Sequence, residues 1–242
     1  MSDPADDLAG LAERVGHAFA DPDLLEQALA HRSVGARNYE RLEFLGDGLL
    51  NFVVAAELFR RRPDDDEGSL SRLRASLVRE STLAAVARDL ALGDHLRLGG
   101  GELASGGFAR DSILADAVES IIGAIFLDAG FEPARAVVIR LLDVHFRNLP
   151  SGESLKDPKT RLQELLQGRG LERPVYEVVQ TSGKAHELRF TVRCTLPSHG
   201  TTIRASATSR RKAEQQAASE VIDNAATLLP PLTARRVRGR VD

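Results

Sequence analysis

Asn38-Tyr39-Glu40-Arg41-Leu42-Glu43-Phe44-Leu45-Gly46-Asp47, with the apolar run that follows it to Phe59, decides how this chain folds. Read with a helical period, Leu42, Phe44, Leu45, Leu49, Leu50, Phe52, Val53, Val54, Leu58 and Phe59 leave almost no polar face. Such a helix is expected in the middle of a domain rather than on its surface. Yet Glu40, Glu43 and Asp47 recur at spacings of three and four residues, which puts all three on one face. A carboxylate on a buried helix is costly unless it is paired or holds a metal.

A second stretch has the same character. From Ile113 to Leu127 the chain is largely apolar, with Asp116 and Glu119 three residues apart and so on one face. Two hydrophobic helices that each present paired carboxylates can converge on a shared cation. Oxygen-only ligands favour Mg²⁺ or Mn²⁺, and no Cys/His cluster competes for zinc. The plainer alternative is a set of buried ion pairs with Arg41, Arg72, Arg74 or Arg110. Two acid pairs on two hydrophobic helices favour the metal.

Asn38 to Asp47 resembles the signature of bacterial ribonuclease III, and Asp116-Ala117-Val118-Glu119 resembles that family's second acidic motif. The resemblance implies that Glu43, Asp47, Asp116 and Glu119 are metal ligands, with Asp47 and Glu119 catalytic. It places Glu40 at a dimer-facing edge, supporting RNA positioning and the partner's site. Asp66-Glu67-Gly68 followed by Leu70-Ser71-Arg72-Leu73-Arg74 also matches, which implies a role in substrate handling for Glu67.

Bulk properties are those expected of a soluble intracellular protein. The chain has 242 residues and 43% hydrophobic content, enough for one large domain or two smaller ones. Its single cysteine, Cys194, excludes a disulfide framework, reads as a small buried apolar residue and suits a reducing cytoplasm. The acidic start, Met1-Ser2-Asp3-Pro4, lacks the order of a signal peptide, and no apolar run approaches membrane-spanning length. The net charge of −3 hides an asymmetry. From Lys156 onward there are 16 Lys and Arg against 9 Asp and Glu, while the rest carries 16 against 26. An acidic part suited to cations is joined to a basic part suited to phosphates.

In chain order, Asp21-Pro22 starts a helix well, and His31 near its end reads as a hydrogen-bonded structural residue. Leu70–Val78 and Ser81–Leu90 read as amphipathic helices, the second capped by Ser81 or Thr82. The glycine-rich Gly99–Gly107 lacks P-loop spacing and is either a mobile connector or, as the resemblance implies, a backbone that approaches RNA. Glu132–Phe146 reads as one last amphipathic helix. Residues 1–148 are therefore expected to be all-α, with six or seven helices, and 149–155 to be a linker.

Beyond the linker the pattern changes. Asp157–Gln167 reads as a helix; Val175–Gln180, Leu188–Cys194 and Thr201–Ala205 read as alternating strands; Arg210–Ala225 reads as a final helix. This α-β-β-β-α order over residues 156–227 resembles a double-stranded RNA-binding domain, giving an α+β chain overall. That resemblance implies that Thr160, Gln163 and Gln167 meet a minor groove and that His186 enters the next one. It also implies that Ser209, Arg210, Arg211 and Lys212 address phosphates across the major groove. Glu214 departs from the pattern, standing where many such domains carry lysine, which weakens the expected basic patch. Residues 228–242 read as a basic, disordered tail.

The resemblance further implies a homodimer in which each subunit cuts one strand of duplex RNA. Mg²⁺, or Mn²⁺ in its place, would lower the pKa of the attacking water and offset charge on the phosphodiester. Products would carry 5′ phosphates, 3′ hydroxyls and short 3′ overhangs, from ribosomal RNA precursors and structured messenger RNAs. A catalytically silent duplex-RNA-binding protein is the rival reading, and a hydrolase of small nucleotides leaves the basic domain unexplained.

Overall fold

The acids' two helices are long and lie at the centre of the amino-terminal part of the chain. The computed structural model describes residues 4–184, 187–198 and 200–230, and for residues 4–7 the backbone alone. It divides the chain into two compact units, Met1–Leu155 and Lys156–Asp242. Residues 231–242, which hold most of the basic tail, lie outside the described residues.

In the first unit the order is α1 (Pro4–Val15), α2 (Pro22–Ala28), α3 (Glu40–Arg61), α4 (Glu67–Val78), α5 (Glu80–Asp89), α6 (Gly100–Ala104), α7 (Asp111–Ala129), α8 (Phe131–Leu141) and α9 (Asp143–Arg147). The unit is helical as expected; its extended pairing among the described residues is an isolated bridge between Ala30 and Arg97. Asp21 caps α2 by accepting from the Asp23 N–H at 3.1 Å, and Asp66 caps α4 by accepting from the Ser69 N–H at 2.7 Å. The start of α5 differs from expectation. Arg79, in extended conformation, ends α4 and begins α5 with no side-chain cap. The Thr82 hydroxyl instead donates to the Ser76 carbonyl at 2.9 Å and ties the two helices together. Helix α1 adds to the helices expected from the residues, and the expected Glu132–Phe146 helix is broken at Leu142, whose N–H still reaches the Val138 carbonyl.

Helix α7 is nearly engulfed: Ile113, Leu114, Ala117, Val118, Ile121, Ile122, Ala124 and Ile125 are all buried. Helix α3 is not. Leu42, Leu50, Val53, Val54 and Leu58 face the core, but Phe44, Phe52 and Phe59 are 83%, 60% and 75% exposed. The expectation of a helix buried all round is corrected here: its apolar surface is wider than the core that covers one side of it. The expected linker is also partly structured, since Gly152 is buried against Ser69 and its carbonyl accepts from Arg72 Nε at 3.0 Å.

The two long helices cross backbone to backbone. A Cβ placed on Gly46 would overlap the Glu119 carbonyl oxygen and lie 3.0 Å from the Gly123 nitrogen. One placed on Gly123 would overlap the Leu42 carbonyl oxygen and lie 3.2 Å from the Gly46 nitrogen. Each glycine thus makes room for the other helix. No helix is long and apolar enough to cross a membrane, among the described residues.

The second unit is built from α10 (Pro158–Gly168), β1 (Val175–Ser182), β2 (Arg189–Leu196), β3 (Thr201–Ala207), α11 (Arg210–Asp223) and α12 (Ala225–Leu228). The sheet is antiparallel in the order β1-β2-β3, with a bulge at Val179. Val192, Cys194, Leu196 and Ala205 point inward, and α11 lays Ala213, Ala217 and Val221 on them at four-residue spacing. Leu162 and Leu166 of α10 complete this core. Cys194 is buried and free, as expected.

The glycine crossing predicts opposite effects for neighbouring substitutions on one helix. Gly46→Ala and Gly123→Ala should each cost about 1–3 kcal/mol or more in urea unfolding, because the added methyl meets a backbone oxygen that cannot move alone. Gly48→Ala, with nothing within 4 Å, should instead stabilise by about 0.5–1 kcal/mol. A neutral Gly46→Ala would contradict the close crossing.

Candidate functional site

Because α3 and α7 touch at Gly46 and Gly123, the acids one turn away on each helix must face one another. Glu43, Asp116 and Glu119 each offer a carboxylate oxygen, and these three oxygens lie within 4.8 Å of one another. Asp47 stands one turn along α3 from Glu43, outside that triplet but close enough to act on it electrostatically. Two side chains hold the acids in place. The Asn51 amide donates to Asp47 Oδ1 at 2.7 Å and to its carbonyl at 3.1 Å. The buried Tyr39 hydroxyl donates to Asp116 Oδ2 at 3.3 Å.

Burial and neighbouring acids together raise the carboxyls of this cluster. Burial pushes the Glu119 carboxyl up to about 8, reinforced by the charges of Asp47, Asp116 and Glu43. The Glu43 carboxyl is raised in the same way, by burial first and then by Asp116, Glu40 and Asp47. Burial also raises Asp116, with Glu80 adding to it, although the Tyr39 hydroxyl bond opposes the shift. The Tyr39 phenol is pushed upward by burial and by Asp116, so it stays a donor.

Among the described residues no salt bridge reaches Glu43, Asp116 or Glu119. The ion-pair alternative therefore fails for these three acids. Arg72 bonds the Gly152 carbonyl and Ser69, and Arg110 pairs with Glu102. Hard oxygen donors at this spacing fit a divalent cation of the Mg²⁺ or Mn²⁺ type, whose charge would offset the burial and repulsion that raise the carboxyls.

The remaining acids lie apart from that triplet. Glu40 is largely exposed and faces Arg32 at 3.7 Å. Glu67 sits exposed at the start of α4 and accepts from the Ser71 hydroxyl at 2.8 Å. His31 is structural: its Nδ1 accepts from the Ser33 N–H, and the Ser33 hydroxyl in turn accepts from the Gly99 N–H at 2.8 Å. The glycine-rich stretch is accordingly anchored at Gly99 and forms the short helix α6.

Sequence reasoning missed Tyr39, Asn51, Glu80 and the glycine pair as parts of this site. Asn51 was findable, since it follows Asp47 by the four residues that place side chains one above the other.

In the second unit, Thr160, Gln163 and Gln167 share one face of α10. Thr160 and Gln163 line a groove of about 620 Å³ together with Lys159, Arg173, Tyr176 and Arg211. Ser209 caps α11 by accepting from the Lys212 N–H at 3.2 Å, and Arg210, Arg211 and Lys212 are exposed there. His186 lies outside the described residues. Glu214, expected as a gap in this basic patch, is instead buried between two cations.

The sequence profile described as ribonuclease-III-like matches residues 21–144, and that of the double-stranded RNA binding motif matches residues 158–224. Ribonuclease 3 of Alkalilimnicola ehrlichii is 54% identical over 212 residues, spanning 88% of this chain and 93% of its own length. Ribonuclease 3 of Xanthomonas oryzae pv. oryzae is 56% identical over 208 residues, spanning 86% and 92%. Among solved structures, the nuclease domain of a ribonuclease III from Campylobacter jejuni, described for flexibility in its dimer-forming region, superposes with a TM-score of 0.56. It shares 45% identity and covers 57% of this chain and 97% of its own. Profiles that match both units, and relatives 54% and 56% identical that are covered over more than nine-tenths of their own length, show that the chain belongs to the ribonuclease III family.

Proposed function

We propose that this ribonuclease III is a Mg²⁺-dependent endonuclease of double-stranded RNA, with Mn²⁺ able to substitute. The observation that carries the reading is the convergence of Glu43, Asp116 and Glu119 oxygens within 4.8 Å, with no salt bridge to any of the three among the described residues. Those three and Asp47 would hold the ion. When bound, it supplies Lewis acidity at the phosphodiester and a lowered pKa for water.

The chain's own groups do the positioning. Gly46 and Gly123 set the separation of the acids, Asn51 orients Asp47, and the Tyr39 hydroxyl fixes Asp116. Glu40 and Glu67, at the edges, serve RNA placement. The second unit supplies affinity for A-form shape through Thr160, Gln163, Gln167 and His186 on the minor-groove side and Ser209, Arg210, Arg211 and Lys212 on phosphates. Cleavage leaves 5′ phosphates, 3′ hydroxyls and short 3′ overhangs. Precursor ribosomal RNA and structured messenger RNA in the cytoplasm are the proposed substrates, and residues 1–148, 149–155 and 156–227 the nuclease, connecting and RNA-binding segments.

The test is cleavage of long duplex RNA by the purified protein in Mg²⁺. Duplex should be cut and single strands left intact. EDTA should abolish cutting, and Glu119→Gln should reduce it by about 100-fold or more while duplex binding persists. A wild-type protein that only retards duplex on a gel, with Mg²⁺ or Mn²⁺ present, would instead support the silent binding protein.

The reading also includes a homodimer. Phe44, Phe52 and Phe59, spaced by eight and seven residues, form one exposed face of α3, and Phe52 packs on Phe131 at 5.9 Å between ring centroids. An apolar face of this kind is the core of a protein interface. Light scattering should give twice the 26.2 kDa chain mass, reduced to one chain by Phe44→Glu. A wild-type monomer at micromolar concentration would remove the dimer from the account.

A further inference from the structure

The acid that interrupts the basic start of α11 is neither exposed nor idle. Glu214 is 7% exposed, and its two oxygens are used separately. Oε1 accepts from Arg210 Nε at 2.8 Å, one turn earlier on α11. Oε2 accepts from Lys159 Nζ of α10 at 2.5 Å, and that ammonium also sits 4.6 Å from the centre of the Tyr176 ring. Burial works against the charged carboxylate, but the Lys159 and Arg210 bonds outweigh it and hold the carboxyl below its ordinary range. A carboxylate in this setting stays ionised and keeps both cations fixed.

The arrangement has a direction. Glu214 occupies only the Nε–H of Arg210, so among the described residues the four terminal guanidinium N–H groups have no acceptor, and the Arg210 side chain is 65% exposed. A free arginine samples many rotamers and loses that freedom on binding, whereas one pinned through Nε presents its fork already oriented. The same carboxylate fixes the spacing between α10, with Thr160 and Gln163 in the groove, and the start of α11. A second tie runs alongside it: Asp157, the cap of α10, accepts from Gln215 Nε2 at 2.8 Å and faces Arg211 at 3.6 Å. That tie keeps the two helices together when Glu214 is neutralised.

We propose that Glu214 is a positioning residue for duplex RNA, acting through Arg210: the acid raises affinity for a polyanion by holding the arginine fork toward a phosphate. It can act in this way only if the start of α11 meets RNA, as proposed above. The expectation runs against simple charge, since removing an acid from a basic surface ordinarily strengthens phosphate binding.

The experiment measures binding of a short RNA duplex by the full chain in EDTA, where cutting is blocked, across a range of KCl concentrations. Glu214→Gln should weaken binding about 5–10-fold, and the plot of log affinity against log salt should become shallower by about one phosphate contact. Arg210→Ala should do the same, and Glu214→Gln should cost nothing further once Arg210 is alanine. Equal or tighter binding by Glu214→Gln overturns the proposal and leaves the acid as a damper of the patch. Losses that simply add in the double variant, or a Glu214→Gln chain that no longer folds, make Glu214 structural and overturn it as well. Lys212→Ala separates the two levels: if it binds like wild type, the RNA-facing reading of α11 fails, whatever Glu214 does.

Discussion

Everything chemical in the first unit depends on two helices being allowed to touch. Side chains normally keep helix axes about 8–10 Å apart. At Gly46 and Gly123 there are none, and each glycine lies against the other helix's backbone. The acids one turn away then share a volume that longer residues at the crossing would have divided. The arrangement is self-opposed: burial first, and then the charge of neighbouring acids, make Glu43, Asp116 and Glu119 resist ionisation. The surrounding hydrophobic core, with α7 buried on nearly every side, supplies the stability against which that repulsion is held.

The second unit solves the opposite electrostatic problem with the same vocabulary. There a single buried carboxylate is surrounded by cations, and it stays charged because Lys159 and Arg210 donate to it. In the first unit acids cluster with acids, and no salt bridge reaches Glu43, Asp116 or Glu119 among the described residues; in the second the acid is the counter-charge. Burial penalises both, and the partner decides the outcome. This contrast explains why one cluster reads as a cation site and the other as a brace.

Much of this was legible in the residues. The spacings of Glu43, Asp116 and Glu119 put these acids on one face of each helix, though the same spacing also counted Glu40, which turns to Arg32 instead. The alternation in 175–180, 188–194 and 201–205 marked the three strands, which run two residues further at their carboxy-terminal ends. What the sequence could not carry was the pairing of distant surfaces. Gly46 looks like a weak point in a helix until its partner 77 residues away is known to be Gly123. Phe44, Phe52 and Phe59 looked buried because periodicity reports how apolar a helix is, not how much of it the core covers. Glu214 looked like a defect in a basic patch because its burial comes from α10, more than fifty residues earlier. Tyr39 lies inside the Asn38–Asp47 stretch, yet only the fold brings its hydroxyl to Asp116.

The most direct test is calorimetric titration of the metal-free protein with Mn²⁺ at pH 7, repeated in buffers of different ionisation enthalpy. A carboxyl held near 8 is mostly protonated at pH 7, so a cation bound among these acids must displace its proton. The sign follows from linkage: raising the pH toward 9 removes the proton in advance and should tighten binding while abolishing the release. The account predicts saturable binding with about one proton released per site at pH 7, and loss of that release in Glu119→Gln. Saturable binding with no proton released, or release unchanged in Glu119→Gln, would contradict it and place the cation elsewhere.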